Sequence, residues 1–418
     1  MLTTEENERL TRVGPGTPMG NLLRRYWLPI AVAADVGARP VARRLLGEDL
    51  IVFRTGQGKV GIVDRQCKHR RADLLVGVCE DEGIRCGYHG WMFAVDGRCV
   101  EQPAEPRLNS RVQIKSYPAQ ELGGLVWAYM GPQPAPLLPR FDLFVWDDAL
   151  RDIGECVLDF NWLQAMENSV DPHHVEWLHG RFMNVHNALE AKGAEPVQVL
   201  AKRHLKVGFD RFEYGIIKRR VLEGQSEEDE DWKVGHPLVF PIILRVGGGG
   251  MDQFQIRVPI DDTHTWHIWY TAYRPGIPFA RQATIPKYEV PLFDAAGNRN
   301  VDFVDGQDIA AWAGQGTIAD RSQETLGASD VGVVLLRRML QEQLARVEQG
   351  LDPLGTVRDE SANACITLPM EQNKYGSGAR FRDELFAHQA VRYSPIRHEV
   401  QALFSQAESS AAPPAAEA

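Results

Sequence analysis

Between Cys67 and Phe93 the chain reads CKHRRADLLVGVCEDEGIRCGYHGWMF, with three cysteines and two histidines in twenty-seven positions. With Cys79 set aside, the spacing is Cys67-x-His69, then sixteen residues, then Cys86-x-x-His89. Each pair sits in a short loop that can turn both side chains toward one point. Two thiolates and two imidazoles suit a tetrahedral zinc ion. They also suit a [2Fe–2S] cluster in which the cysteines hold one iron and the histidines the other. Zinc fingers group their cysteines first and their histidines second, whereas here each cysteine has its own histidine. Gly87, Gly90 and Gly97 surround the second pair; glycine allows close backbone approach to inorganic sulfide and positive φ. The spacing favours the cluster.

A second set of ligands lies in NWLQAMENSVDPHHVEWLHG, residues 161–180, which contains Asp171-x-x-His174-x4-His179. Two imidazoles and one carboxylate on one face of an octahedron hold iron(II) in oxygenases, with positions left open for dioxygen and substrate. His174 and His179 are the candidate imidazoles, but at 100° per residue they point about 140° apart on a regular helix. A bulge or break near Pro172 is therefore required, and such distortions are frequent at functional sites. His173 and His186 are further histidines in the same stretch. Asp302, Asp305, Asp308, Asp320 and Asp330 compete for the carboxylate position. Those at 320 and 330 are more naturally helix caps or ion-pair partners.

The elements that must position these residues fall into two textures. Residues 5 to 30 read as a helix, a loop (GPGTPMG) and a second short helix ending at RRYWLP. From 41 to 130 short strands dominate: RRLLGEDLIVFRTGQGKVGIVD gives three, with GED and TGQGK as turns, and RVQIKSYPAQELGGLVWAYMG gives two more. The proline-rich GPQPAPLLPRF, 131–141, reads as an extended linker. Beyond it the pattern predicts a helix near 161–179 and strands near 201–222, 239–247, 252–260 and 264–275. A helical stretch is expected from 306 to 348. SEEDEDW, 226–232, reads as an acidic, solvated loop. The expected division is thus an N-terminal helical segment (1–40) packing on the catalytic part, a cluster domain (41–135), a catalytic domain (136–405) and a disordered tail (406–418).

With 418 residues, two domains are expected. The apolar fraction of 44% and charged fraction of 24% are ordinary for a soluble enzyme. A net charge of -10 argues against nucleic acid as a partner. Six irregularly placed cysteines do not make a disulfide framework. The first residues lack the basic-then-apolar order of a secretory signal, and no apolar run is long enough to span a membrane. A cytoplasmic protein without a membrane anchor is expected.

The motifs C-x-H-R and C-x-Y-H-G-W resemble those of Rieske proteins. The stretch EN-x-x-D-x-x-H-x4-H is similar to the iron-binding helix of the α subunits of Rieske non-haem iron aromatic-ring oxygenases. RVGPGTPMGNLLRRYW and GQDIAAWAGQGTIADRSQETLGASD resemble the phthalate-dioxygenase type, which includes lignin-aromatic O-demethylases. The similarity spans nearly the whole chain. It implies an α+β protein: a small all-β Rieske domain beside a larger catalytic domain of antiparallel sheet and helices, of the helix-grip type. It also implies Cys67, His69, Cys86 and His89 as cluster ligands. His174, His179 and Asp308 are then the Fe(II) ligands, with Asp305 next in line for the carboxylate. His173 has no place among the ligands and reads as supporting or core. Asp171 would bridge His89 of one subunit to His174 of its neighbour in a homotrimer or a dimer of trimers, since a carboxylate can accept the free N–H of both rings.

The implied reaction consumes O2 and hydroxylates or O-demethylates an aromatic, carboxylated compound; attack on a methoxy C–H gives a hemiacetal that loses formaldehyde. Electrons would come from NAD(P)H through a separate flavin and iron–sulfur reductase or a ferredoxin, because GGGG at 247–250 lacks the spacing of a nucleotide-binding loop. From the strand pattern, Arg245 and Arg257 are candidates to hold a substrate carboxylate. Two other classes compete: a Rieske-type electron carrier, which needs only the first part of the chain, and a zinc-stabilised binding protein.

Overall fold

The alternating residues of 41–64 form three antiparallel strands, Val41–Leu45, Glu48–Arg54 and Val60–Asp64, with Ser116–Tyr117 as the fourth. The computed structural model describes residues 2–109, 111–189 and 200–411. A second small sheet, Val78–Cys79, Ile84–Arg85, Met92–Phe93 and Cys99–Glu101, carries the cysteine and histidine loops. Between the two sheets lies a core of its own, in which Phe53, Val63, Leu74 and Phe93 pack around the buried Cys67 and Cys86.

The segment following the second N-terminal helix is a strand, Trp27–Val32, where the end of that helix was expected. It pairs with Leu125–Tyr129, which also pairs with Ala119–Leu122. Its residues are buried throughout, and β-branched and aromatic side chains suit a pleated, packed surface. The helix Thr4–Thr11, closed by a Thr3/Glu6 capping box, is tied to the catalytic part. Asn161 Nδ2 donates to Thr11 O, and Arg321 Nη1 donates to Asn7 Oδ1.

The catalytic part is built on an eight-stranded sheet. In spatial order its strands are His204–Phe212, Gly215–Leu222, His236–Val239, Ile243–Gly248, Met251–Pro259, Thr265–Tyr273, Leu150–Leu158 and Lys287–Glu289. All pairings are antiparallel except the last. Helices lie against the sheet: Trp162–Asn168 against Met251–Pro259, and Gly378–His388 against Ile243–Gly248. The fold is α+β, a small all-β unit beside a larger sheet-and-helix unit.

Three expectations need correction. The single helix over 306–348 is two, Val304–Gly314 and Val331–Glu348. The chain between them contains Gly316, whose φ of +90° leaves the helical region. The acidic stretch 226–232 is not merely solvated: Asp231 is buried, and Glu230–Lys233 is a short helix. The tail begins later than expected, because Arg397–Ala411 is helical; residues 412–418 lie outside the described residues.

Candidate metal centres and active-site cavity

The two cysteine–histidine loops are closed by matching hydrogen bonds. Cys67 N donates to Ala72 O and Arg71 N to Cys67 O; Cys86 N donates to Trp91 O and Gly90 N to Cys86 O. In each loop the residue four beyond the cysteine takes positive φ, Arg71 at 61° and Gly90 at 73°. The glycine does so freely, while the arginine holds a conformation that L-residues rarely adopt. Both cysteines are buried and their thiols are in contact; burial pushes Cys67 up to about 11, with Cys86 adding to the rise. The His69 and His89 rings stand 4.5 Å apart, and His69 stacks on Trp91 at 4.4 Å. His69 Nδ1 is buried without a hydrogen-bond partner.

That orphaned nitrogen, beside a facing thiol pair, fits an inorganic group between the loops. Among the described residues, the one set of three or more such donor atoms lying within 4.8 Å of one another is elsewhere, at His174, His179 and Asp308. The four loop residues are thus split into a sulfur pair and an imidazole pair. A cluster with two irons accommodates that split, whereas a single tetrahedral zinc does not.

The expected distortion of the iron helix is a π-helix. An α-helix, Trp162–Asn168, ends at Ser169; after Pro172 the chain re-enters helix with Val175–Phe182 in π geometry. Widening the turn brings His174 and His179 to one side, ring centroids 5.1 Å apart. Asp308, in the helix Val304–Gly314, puts Oδ1 3.5 Å from His174 Nε2 and 3.2 Å from His179 Nε2. Burial would raise the Asp308 carboxyl, but His179 and His174 outweigh it and hold it below the usual carboxylate range. Conversely, burial would lower His179, and Asp308 outweighs that. Two buried donors and a half-buried one, which together can supply one negative charge, fit a divalent ion.

Supporting residues fix these donors. Asn168 Nδ2 donates to Asp308 Oδ1 at 3.2 Å, and Gln307 Oε1 lies 3.0 Å from His179 Nδ1. Asp171 caps the turn by accepting from His173 N and His174 N. Its Oδ2 stands 3.7 Å from His174 Nδ1, beyond hydrogen-bond length. Asp305 faces another way, accepting from Trp269 Nε1 and Ala390 N. Asp302 pairs with Arg392, Asp320 accepts from Ser322, and Asp330 accepts from Gly327 N. Of the five aspartates, Asp308 alone converges with the histidines. His173 is half-buried, its ring 5.5 Å from that of His204.

The triad opens onto a cavity whose apolar wall includes Val175, Leu200, Leu244, Val246 and Phe381. Neither Arg245 nor Arg257 lines it. Arg245 is buried and paired with Asp142 at 2.8 Å and Asp252 at 3.2 Å. Arg257 is fully buried and donates to Ser169 Oγ and Gln255 Oε1. Both are engaged within the protein. The cations on the cavity are Lys218, Arg220 and Lys374.

Residues 26–118 match the family "Rieske [2Fe-2S] domain", and residues 294–368 match "LigXa C-terminal domain like". The chain is 42% identical over 381 residues to the 5,5'-dehydrodivanillate O-demethylase oxygenase subunit of Sphingobium sp., covering 88% of this chain and 87% of that one. The chain belongs to the Rieske non-haem iron oxygenase α subunits of the phthalate-dioxygenase type. The phthalate 4,5-dioxygenase oxygenase subunit of Pseudomonas putida is 34% identical over 396 residues, covering 85% of this chain and 89% of that one. In structure, the terminal oxygenase of carbazole 1,9a-dioxygenase from Novosphingobium sp. KA1 shares the fold at 21% identity and a TM-score of 0.58, over 84% of this chain and all of that one.

As a Rieske oxygenase α subunit, the chain is a terminal oxygenase, an oxidoreductase that uses O2, with a [2Fe–2S] cluster and iron. An electron-transfer protein on a separate chain supplies it. The electron-carrier and zinc-protein readings give way, since the relatives match along the catalytic part as well as the cluster unit. No helix among the described residues is long and apolar enough to cross a membrane. Sequence reading missed Asn168, Gln307, Lys218, Arg220 and Lys374. A signal for two of them was present: in GIIKRRVL, Lys218 and Arg220 alternate in phase with Ile216 and Leu222, which marks one face of a strand.

Proposed function

We propose that this oxygenase O-demethylates a methoxylated aromatic acid. The observation that carries the reading is the 42% identity, over 88% of the chain, to an O-demethylase oxygenase subunit. The reaction consumes ArOCH3, O2, two electrons and two protons, and yields ArOH, formaldehyde and water. Cys67, His69, Cys86 and His89 would hold the cluster, and His174, His179 and Asp308 the iron. Iron(II) supplies the centre at which dioxygen is activated, and the cluster supplies electrons one at a time. The chain's own residues do the rest. Gln307 orients the His179 imidazole, Asp171 holds the backbone turn that carries His174, Asn168 steadies the carboxylate, and the apolar wall excludes water from the reacting groups.

Electrons come from NAD(P)H through a flavin and iron–sulfur reductase or a ferredoxin, and the enzyme works in the cytoplasm, where its free cysteines stay reduced. A homotrimer, or a dimer of trimers, brings the cluster of one subunit to the iron of the next. Two exposed apolar surfaces support this: Val76, Val78 and Tyr88 beside the cluster loops, and Trp177 and Phe182 beside the iron site. No hydrogen bond joins His89 to Asp171 within the chain among the described residues, and Asp171 keeps a partly exposed carboxylate for a neighbour.

A product screen with a surrogate reductase tests the reaction. Formaldehyde from methoxylated aromatic acids, matched to O2 consumed, is the expected result. A cis-diol from unmethoxylated acids, with no formaldehyde, would instead support ring dioxygenation, as the likeness to the phthalate dioxygenase subunit suggests.

A further inference from the structure

The strand Gly215–Leu222 turns alternate residues toward the cavity, so Lys218 and Arg220 share a face while Arg219 points away to Asp210. Lys218 lies opposite His236 on the next strand, whose ring also lines the cavity. Arg220 has counter-charges: its Nε is 3.4 Å from Asp231 Oδ1 and its Nη2 is 3.5 Å from Glu371 Oε1. Its Nη1 donates to Tyr375 Oη at 2.9 Å. Lys374 Nζ lies 2.9 Å from Glu371 Oε1, the same oxygen that His236 Nδ1 approaches at 2.8 Å.

Lys218 differs from both. It is 5% exposed, yet it has no hydrogen bond or ion pair among the described residues. Asp171 and Glu371 attract it only from a distance, and burial, then Arg220 and Lys374, push its ammonium down to about 7. A buried ammonium without a bonded anion is costly. Arg220 and Lys374 are met at close range by Asp231 and Glu371, whereas none of the carboxylates that line the cavity, Asp305, Asp308 and Glu384, bonds to Lys218 Nζ.

We propose that Lys218 Nζ anchors the carboxylate of the aromatic substrate in the cavity that His174, His179 and Asp308 also line. The remaining wall, with Leu244, Val246 and Phe381, suits the ring. This assignment rests on reading that cavity as the oxygenase active site, and it replaces Arg245 and Arg257 in that role.

Equilibrium binding to the oxidised holoenzyme without oxygen tests it apart from turnover. The probes are veratrate (a carboxylate without a phenol), guaiacol (a phenol without a carboxylate), and 5,5'-dehydrodivanillate, with the methyl ester of each acid. The wild type should bind at least one acid about 10- to 100-fold more tightly than its ester, the span expected for one charge-assisted hydrogen bond. In Lys218→Met that preference should vanish, ester and guaiacol binding should be unchanged, and Lys218→Arg should restore part of it. The assignment is overturned if Lys218→Met keeps the preference for acids. Equal loss of acids and esters, a wild type that favours guaiacol, or one that binds no acid would overturn it too. Charge-dependent binding without formaldehyde production would fault the reaction proposed above and leave the anchor standing.

Discussion

Gln307 is the supporting residue whose role can be read most directly from geometry. Its Nε2 donates to Val301 O at 3.1 Å, which fixes the amide so that Oε1 faces His179 Nδ1 at 3.0 Å. That nitrogen must then carry the ring proton, leaving Nε2 to face Asp308 and an ion beside it. Gln307→Leu keeps the side-chain bulk and removes the acceptor. A buried imidazole N–H left without a partner costs about 1–3 kcal/mol, and loss of such an outer partner lowers metal affinity about 10- to 100-fold. The expected result is ferrous iron bound that much more weakly in chelator competition, with the cluster's visible spectrum intact. Gln307→Glu retains an acceptor and should hold iron at least as tightly as the wild type. Iron bound by Gln307→Leu with unchanged affinity would show that Gln307 does not set the tautomer. Loss of cluster and iron together would show a structural role instead.

His174→Ala, His179→Ala or Asp308→Ala should strip the mononuclear iron while the cluster's colour persists. Iron retained in Asp308→Ala but lost in Asp305→Ala would move the third ligand one turn earlier. His69→Ala and His89→Ala should abolish the reduced-cluster spectrum and turnover together, as followed by electron paramagnetic resonance. Glu167, buried between Arg321 (2.7 Å) and Arg337 (2.6 Å), ties the helix Trp162–Asn168 to the helix Val331–Glu348 through Arg337. Burial opposes its ionisation, but the two guanidinium groups prevail and hold it below the usual range. Its stabilisation is therefore present at neutral pH and lost as pH falls through the folded value. Glu167→Gln should cost about 3–5 kcal/mol at neutral pH and flatten the acid limb of Tm against pH; an unchanged acid limb would contradict the pairing. Mixed oligomers of Cys86→Ala and His179→Ala chains should regain partial turnover, and co-assembly confirmed by mass with none regained would refute the cross-subunit route.

Local chemistry was legible and distant chemistry was not. The four residues proposed to hold the cluster lie in one short stretch, where spacing favours a mixed Cys/His cluster over a zinc finger. His174 and His179 were legible together with their difficulty, because helix geometry forbids a regular helix from using both; the π-helix is the resolution. Residue type alone left five aspartates for the third position; the resemblance pointed to Asp308, and the packing of the helix Val304–Gly314 against the π-helix brings that residue, of the five, to the two histidines. The arginine assignments failed for a physical reason. Arg245 and Arg257 are themselves buried on largely buried strands, and their charges are met by carboxylates or polar side chains remote in sequence. The acidic loop failed similarly, since its Asp231 is drawn inward by Arg220.

These two failures bear on each other. A strand that presents two cations to a buried cavity needs carboxylates from elsewhere, and the chain supplies them from the loop at 226–232 and from Glu371. The same residues shape the wall: Tyr375, held at φ +55°, receives the Arg220 hydrogen bond at Oη and gives its N–H to Asp231 Oδ2. A backbone strained in this way persists where its surroundings over-determine it, and functional sites are where that occurs. The wall is therefore built as a charge-balanced unit around Arg220, with Lys218 left over. Under the proposal made above, specificity for an anionic ring would reside in Lys218. The iron ligands, common to hydroxylation and demethylation alike, do not decide it.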